Sequence, residues 1–191
     1  MNKPATIALL VLLVLVIVFG KYHNQLFPRH VKTEFSQVTV RVPSNWIYSK
    51  GTEDYAFQLI VPSKRLAEPA GFITAKCMKS GDLDEYVAGD TENKSKTSKK
   101  DYMEARAKNA WVSTYTAKDK NKEARAAEYV ISAPDSLWHL VGVFDESWFK
   151  KNGETAEGFV REFAKENFQT DIPALPREQK PSGRSETGEN K

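Results

Sequence analysis

Cys77 is the single cysteine of the chain, and His23, His30 and His139 are its three histidines. A thiol beside an imidazole is the smallest pair that supports nucleophilic catalysis. Cys77 and His139, both on stretches that read as strands, are therefore the combination to weigh, as a nucleophile and base facing one another across strands. No neighbouring residue marks an activated thiol, and a buried cysteine acting as a small hydrophobe is the plainer role. No two histidines have the i, i+4 or short-loop spacing that converges on a metal, so neither a metal nor a cofactor is expected. Asp82, Asp84 and Glu85 fall in the first turn of a helical pattern, where the helix dipole alone favours carboxylates. The glycines form neither a phosphate-cradling loop nor a nucleophile elbow. No catalytic residue is assigned, and the residue chemistry points to binding.

Aromatic and basic residues are the better candidates for a working surface. In DESWFKKNGE, Trp148 and Phe149 are flanked by Asp145, Glu146, Lys150 and Lys151, which reads as a charged loop between the last strand and the last helix. Two large apolar side chains with a polar rim have the composition of a protein-binding hot spot, and Trp148, Phe149, Lys150 and Lys151 form the candidate partner-binding set. The structural alternative is a staple that fixes where the helix begins. Lys94, Lys96, Lys99 and Lys100 form a second candidate, a solvated loop or an electrostatic contact with an acidic partner or anionic headgroups. A net charge of +3 with interleaved acidic residues excludes a dedicated nucleic-acid protein. Trp46, after a strand-ending proline, and Trp111 and Trp138, on strands, are expected in the core.

The elements that must carry these residues follow from periodicity. Val38, Val40 and Val42 alternate with polar residues before Pro43, the signature of a half-buried strand. Residues 55–61 (YAFQLIV), 72–78 (FITAKCM), 111–116 (WVSTYT), 124–132 (ARAAEYVIS) and 137–144 (LWHLVGVF) read as further strands. Links such as 62–70, 117–123 and 133–136 are too short for parallel crossovers, so the sheet is expected to be mostly antiparallel. Leu83, Tyr86 and Val87 place a helix over 81–90. Ala156, Phe159, Val160, Phe163 and Ala164 make one apolar stripe over 154–168, with Asn152 or Thr155 as its cap and Lys165 at its negative end.

Outside these elements the composition changes twice. Residues 5–20 (ATIALLVLLVLVIVFG) carry no charge and read as a membrane anchor over 1–21, with a signal peptide cleaved after Gly20 as the alternative. Residues 22–30 read as a stalk, 31–168 as one globular domain, and 169–191, rich in proline, glycine, serine and charge, as a disordered tail. The flanking charges orient the segment only weakly. The short positive head suggests a signal anchor in the inner membrane with the domain outside the cytoplasm; a domain tethered from the inside is the alternative.

The run VTVRVPSNW (residues 38–46), the strand AFQLIV, the helix SGDLDEYV, the strand LWHLVGVF and the closing FVREFAKENF together resemble the DcrB-like branch of the PsbP-like superfamily over residues 31–168. The resemblance implies an α+β domain with α/β/α layering around an antiparallel sheet, and a non-enzymatic scaffold without a shared active site. The expectation is thus a single-pass envelope protein that binds another envelope or secreted protein and no nucleic acid. An immunity protein that neutralises a secreted toxin in the periplasm, and an uncharacterised enzyme, are the alternatives.

Overall fold

The computed structural model describes residues 29–32, 38–63, 68–78, 81–96, 100–119 and 122–176. A two-stranded sheet pairs β1 (Arg29–Lys32) with β2 (Thr39–Val42). The main sheet has seven strands, all paired antiparallel, in the order β3-β4-β5-β9-β8-β7-β6. Its strands are β3 (Ile47–Lys50), β4 (Phe57–Val61), β5 (Gly71–Met78), β6 (Lys100–Ala107), β7 (Ala110–Asp119), β8 (Lys122–Ala133) and β9 (Ser136–Asp145). Helix α1 (Leu83–Lys96) carries the chain from β5, in the middle of the sheet, to β6 at its far edge. Three antiparallel strand returns then bring it back to β9, beside β5. Helix α2 (Glu146–Phe168) follows β9 directly.

Side-chain parity sorts this sheet into two faces. On one face Phe57, Leu59, Ile73, Tyr129, Ile131, Trp138, Leu140 and Phe144 form the main core with Phe159, Val160 and Phe163 of α2 and the three valines of residues 38–42. On the other, Trp111, Val130 and Leu137 form a smaller cluster with Leu83, and Tyr86 and Val87 pack against it. The two helices therefore pack against opposite faces of the large antiparallel sheet of this α+β fold.

Local chemistry explains the ends of these elements. Asn45 sits at φ 74°, which a short polar side chain tolerates, and the Trp46 amide donates to the Pro43 carbonyl at 3.1 Å to close the turn into β3. The Asn167 side chain works as a strand edge: its Oδ1 accepts from the Thr39 amide at 2.7 Å, and its Nδ2 donates to the Thr39 carbonyl at 2.9 Å. This clamps β2 to the end of α2.

Several sequence expectations need correction. The stalk expected to run to residue 30 overlaps β1, which begins at Arg29. β3 and β6 were not expected as strands, and β7 and β8 extend through most of the expected link 117–123. The first helix runs on to Lys96, so Lys94 and Lys96 lie on a helix and Lys100 opens β6, while Lys99 falls outside the described residues. The tail does not begin at 169: Thr170, Ile172 and Leu175 are buried, and the Leu175 amide donates to the Glu157 carboxylate at 3.2 Å. The rest of the expected tail, 177–191, lies outside the described residues, as does the apolar run 5–20. Among the described residues no helix is long and apolar enough to cross a membrane.

Candidate binding cleft

Asp145 ends β9 and caps α2 at once. Its Oδ1 accepts from the Ser147 amide at 2.9 Å and the Trp148 amide at 3.1 Å, which satisfies two of the donors that a helix start leaves open. The expected loop is therefore absent, and Trp148, Phe149, Lys150 and Lys151 ride on the first turns of the helix. Neither Asn152 nor Thr155 is the cap; Asn152 instead donates back to the Trp148 carbonyl at 3.1 Å.

The helix divides the four candidate residues between two environments. Trp148 turns inward, its ring stacked on Phe144 at 5.1 Å and set edgewise to Trp46 at 6.4 Å. Phe149 also touches Phe144, at 5.6 Å, yet borders a cleft of about 390 Å³ together with Lys150 and Lys151. That cleft lies between the first half of α2, the outer strands on the core side, and the segment around Leu175 and Pro176. A Cβ on Gly153 would stand 3.3 Å from the Phe149 ring, so the glycine gives that ring its seat.

The cleft's charges are largely paired within the protein. Arg125 grips Glu146 with two hydrogen bonds of 3.1 Å, from Nε and from Nη2, and the two side chains are 14% and 19% exposed. Glu157 accepts from Arg161 at 2.6 Å as well as from the Leu175 amide. Lys150 reaches Glu146 at 3.5 Å but is 73% exposed, an arrangement worth little in water. The result is an apolar floor of Met103, Phe149 and Leu175 with Lys150, Lys151 and the exposed Glu154 at its rim. Such a surface suits an apolar side chain with polar groups around it. It places no nucleophile beside a base.

The Arg125 hydrogen bonds, against a smaller opposing effect of burial, hold the Glu146 carboxyl below its ordinary value of 4.5. A depressed carboxylate stabilises the fold above the unfolded-state value, and that contribution disappears as pH falls through the folded one. The melting temperature should accordingly fall as the medium is acidified below about pH 4.5. Arg125→Met should lower stability at neutral pH and flatten that acid-side slope. An unchanged slope would show that the pair is not formed in solution.

Trp148→Ala separates the two environments. Its ring belongs to the packing around Phe144, so its removal should cost about 2 kcal/mol and several degrees of melting temperature while partner affinity holds. Loss of affinity at constant melting temperature would place Trp148 in the binding surface instead.

Cys77 and His139 do not meet. Cys77 is the register partner of Trp138, and His139 pairs with Lys76, so parity sends the thiol and the imidazole to opposite faces of the sheet. His139 belongs to a polar belt beneath α1 that the sequence did not reveal. The Tyr86 hydroxyl lies 3.1 Å from His139 Nδ1, and His139 Nε2 lies 3.9 Å from Glu128, which is 6% exposed and accepts from the Tyr115 hydroxyl at 2.6 Å. Glu104 takes the Tyr102 hydroxyl at 2.6 Å and the Trp111 indole at 3.1 Å. Burial first, and then the Glu128 carboxylate, push the Tyr86 hydroxyl up to about 12. Burial and carboxylate hydrogen bonds raise Tyr115 and Tyr102 as well. These phenols stay protonated: Tyr86 ties α1 to His139 on β9, whereas Tyr115 and Tyr102 donate within the sheet, to Glu128 and Glu104. Among the described residues no group of three His, Cys, Asp or Glu side chains is placed to hold a metal ion.

No family model matches this chain, and no curated protein matches it. Among solved structures, it is similar to a Pseudomonas aeruginosa protein of unknown function at 12% identity and a TM-score of 0.45, over 77% of this chain and 97% of that one. It is also similar to LpqN of Mycobacterium tuberculosis, described as involved in cell envelope biogenesis, at 12% identity and a TM-score of 0.48, over 69% of this chain and 86% of that one. Neither likeness assigns a role to the cleft.

Proposed function

We propose that this chain is a non-enzymatic, single-pass envelope protein related to the DcrB-like branch of the PsbP-like superfamily. In this reading residues 5–20 sit in the cell membrane, and the domain from Arg29 onward binds another protein on the outer side through the cleft at the start of α2. The observation that carries the reading is the cleft's composition. Phe149 and Met103 offer apolar surface, the interior Arg125 and Glu146 are paired with each other, and Lys150 and Lys151 stand at the rim. Apolar contact surrounded by rim charge is how protein partners are held and steered.

Affinity capture from detergent-solubilised envelope tests this with the full chain and a Lys150→Gln, Lys151→Glu variant. Both side chains are exposed, so the melting temperature should stay within about two degrees of the parent. A stoichiometric partner should be recovered with the parent and reduced at least tenfold with the variant, the result of losing about 1.4 kcal/mol. Equal recovery by both proteins would remove the cleft from the binding surface.

A further inference from the structure

The face of the sheet that carries α1 is only half covered. α1 packs over β7, β8 and the Met78 end of β5, whereas among the described residues no element is seen packed on that face above β3, β4 and the first part of β5. There the register sets Ile47, Ile60, Phe72 and Val143 side by side across β3, β4, β5 and β9. Ile47 is 57% exposed and Phe72 37%, and Ile60 and Val143 are half-buried. Their strand neighbours Leu59 and Ile73, on the opposite face, are 0% and 1% exposed. The contrast is one of parity: a single row of apolar side chains faces outward on the half of this face that α1 leaves open.

Position in the chain and charge together indicate what covers this row. Arg29 lies opposite Val42, and the turn from Pro43 to Trp46 leads straight into Ile47, so the chain leaves the domain toward its N-terminus close to one end of the row. Only residues 21–28 separate Arg29 from the apolar run 5–20. Eight residues span at most about 28 Å, which keeps the domain against whatever surface holds that run. Apart from Met78, which packs under α1, the remaining outward residues of β3 to β5 are Ser49, Gln58, Thr74 and Lys76, so the open part of this face carries no carboxylate and its one charge is a cation. A surface of that kind is compatible with anionic headgroups.

We propose that the row Ile47, Ile60 and Phe72 seats on the glycerophospholipid surface of the membrane and fixes how the tethered domain stands on it. The proposal rests on the reading that residues 5–20 lie in that membrane. A few apolar side chains hold a free domain to lipid only weakly. A short tether raises their effective concentration enough to keep them engaged, as a second anchoring signal does for a single weak one. The cleft at the start of α2 belongs to the opposite face of the sheet and is left open to a partner.

The full chain, with Cys77→Ser to clear the native thiol, is reconstituted in vesicles of phosphatidylethanolamine and phosphatidylglycerol in equal parts. A nitroxide is placed at Phe72→Cys, at Ile47→Cys as a second position that strains the fold less, or at Glu162→Cys on the exposed side of α2. A carbonate wash reports whether the chain is held in the bilayer, and relaxation by oxygen against a water-soluble nickel chelate reports where each label stands. We expect the chain to resist the wash, the labels at 72 and 47 to be relaxed more by oxygen, and the label at 162 more by nickel. A chain that resists the wash while all three labels favour nickel overturns the proposal and leaves the anchor intact. Labels at 72 and 47 shielded from both agents also overturn it, because protein then covers the row. A chain that washes off overturns both the anchor and the seating.

Discussion

Val40→Asp should cost about 3–5 kcal/mol and lower the melting temperature by roughly 10 °C or more, because it buries a charge with no partner. Val40 is 0% exposed on β2 and faces the core shared with α2. Its neighbour Thr39 points the other way and is half-buried, and the nearby polar contacts are made by its backbone to Asn167. Thr39→Asp should therefore cost under about 1 kcal/mol. Thermal unfolding of the two variants side by side decides the matter. Equal losses would mean that β2 is out of register or absent.

Trp138→Ala should be as severe, at about 3–5 kcal/mol. The indole is 1% exposed and lies edge-on to Phe163 at 5.5 Å and beside Phe168 at 5.7 Å, so it joins the centre of the sheet to the last turns of α2. Removing it leaves a cavity whose aromatic walls are fixed by the helix on one side and the sheet on the other, with little room to collapse. Denaturant unfolding should show the loss, and amide exchange should rise first in residues 159–168. A loss under about 1 kcal/mol would contradict the packing of α2 on this face.

What the sequence could tell about this fold depended on whether the deciding contact was local. Val40 and Leu59 show their faces through simple alternation, and Phe159, Val160 and Phe163 through helical spacing; each periodicity is complete within its own element. The start of α2 is different. Asn152 and Gly153 look like turn residues in a charged stretch, yet Gly153 is helical and makes room for the Phe149 ring, while the cap is Asp145, a residue already inside the last strand. The burial of Ile172 and Leu175 was hidden for a similar reason, since a proline-containing polar segment is held by Glu157, 18 positions earlier.

The candidate site was legible in composition and not in arrangement. Phe149, Lys150 and Lys151 do share a cleft, but Trp148, one position away, is turned into the core by the helix. Cys77 and His139 were plausible opposites until the register put Trp138 across from the thiol. Glu128 reads as the solvent side of an amphipathic strand, because Tyr115 and His139, which close over it, come from the two flanking strands.

A binding surface at the start of α2 is the central claim, and site-specific photo-crosslinking in the native envelope tests it most directly. A photoreactive side chain replaces Lys151, at the rim of the cleft, or Glu162, on the exposed side of the same helix and roughly a turn and a half beyond Glu157, its last cleft-lining residue. The account predicts one discrete crosslinked protein from position 151 and none from 162. No crosslink at 151, or the same products from both positions, would contradict it.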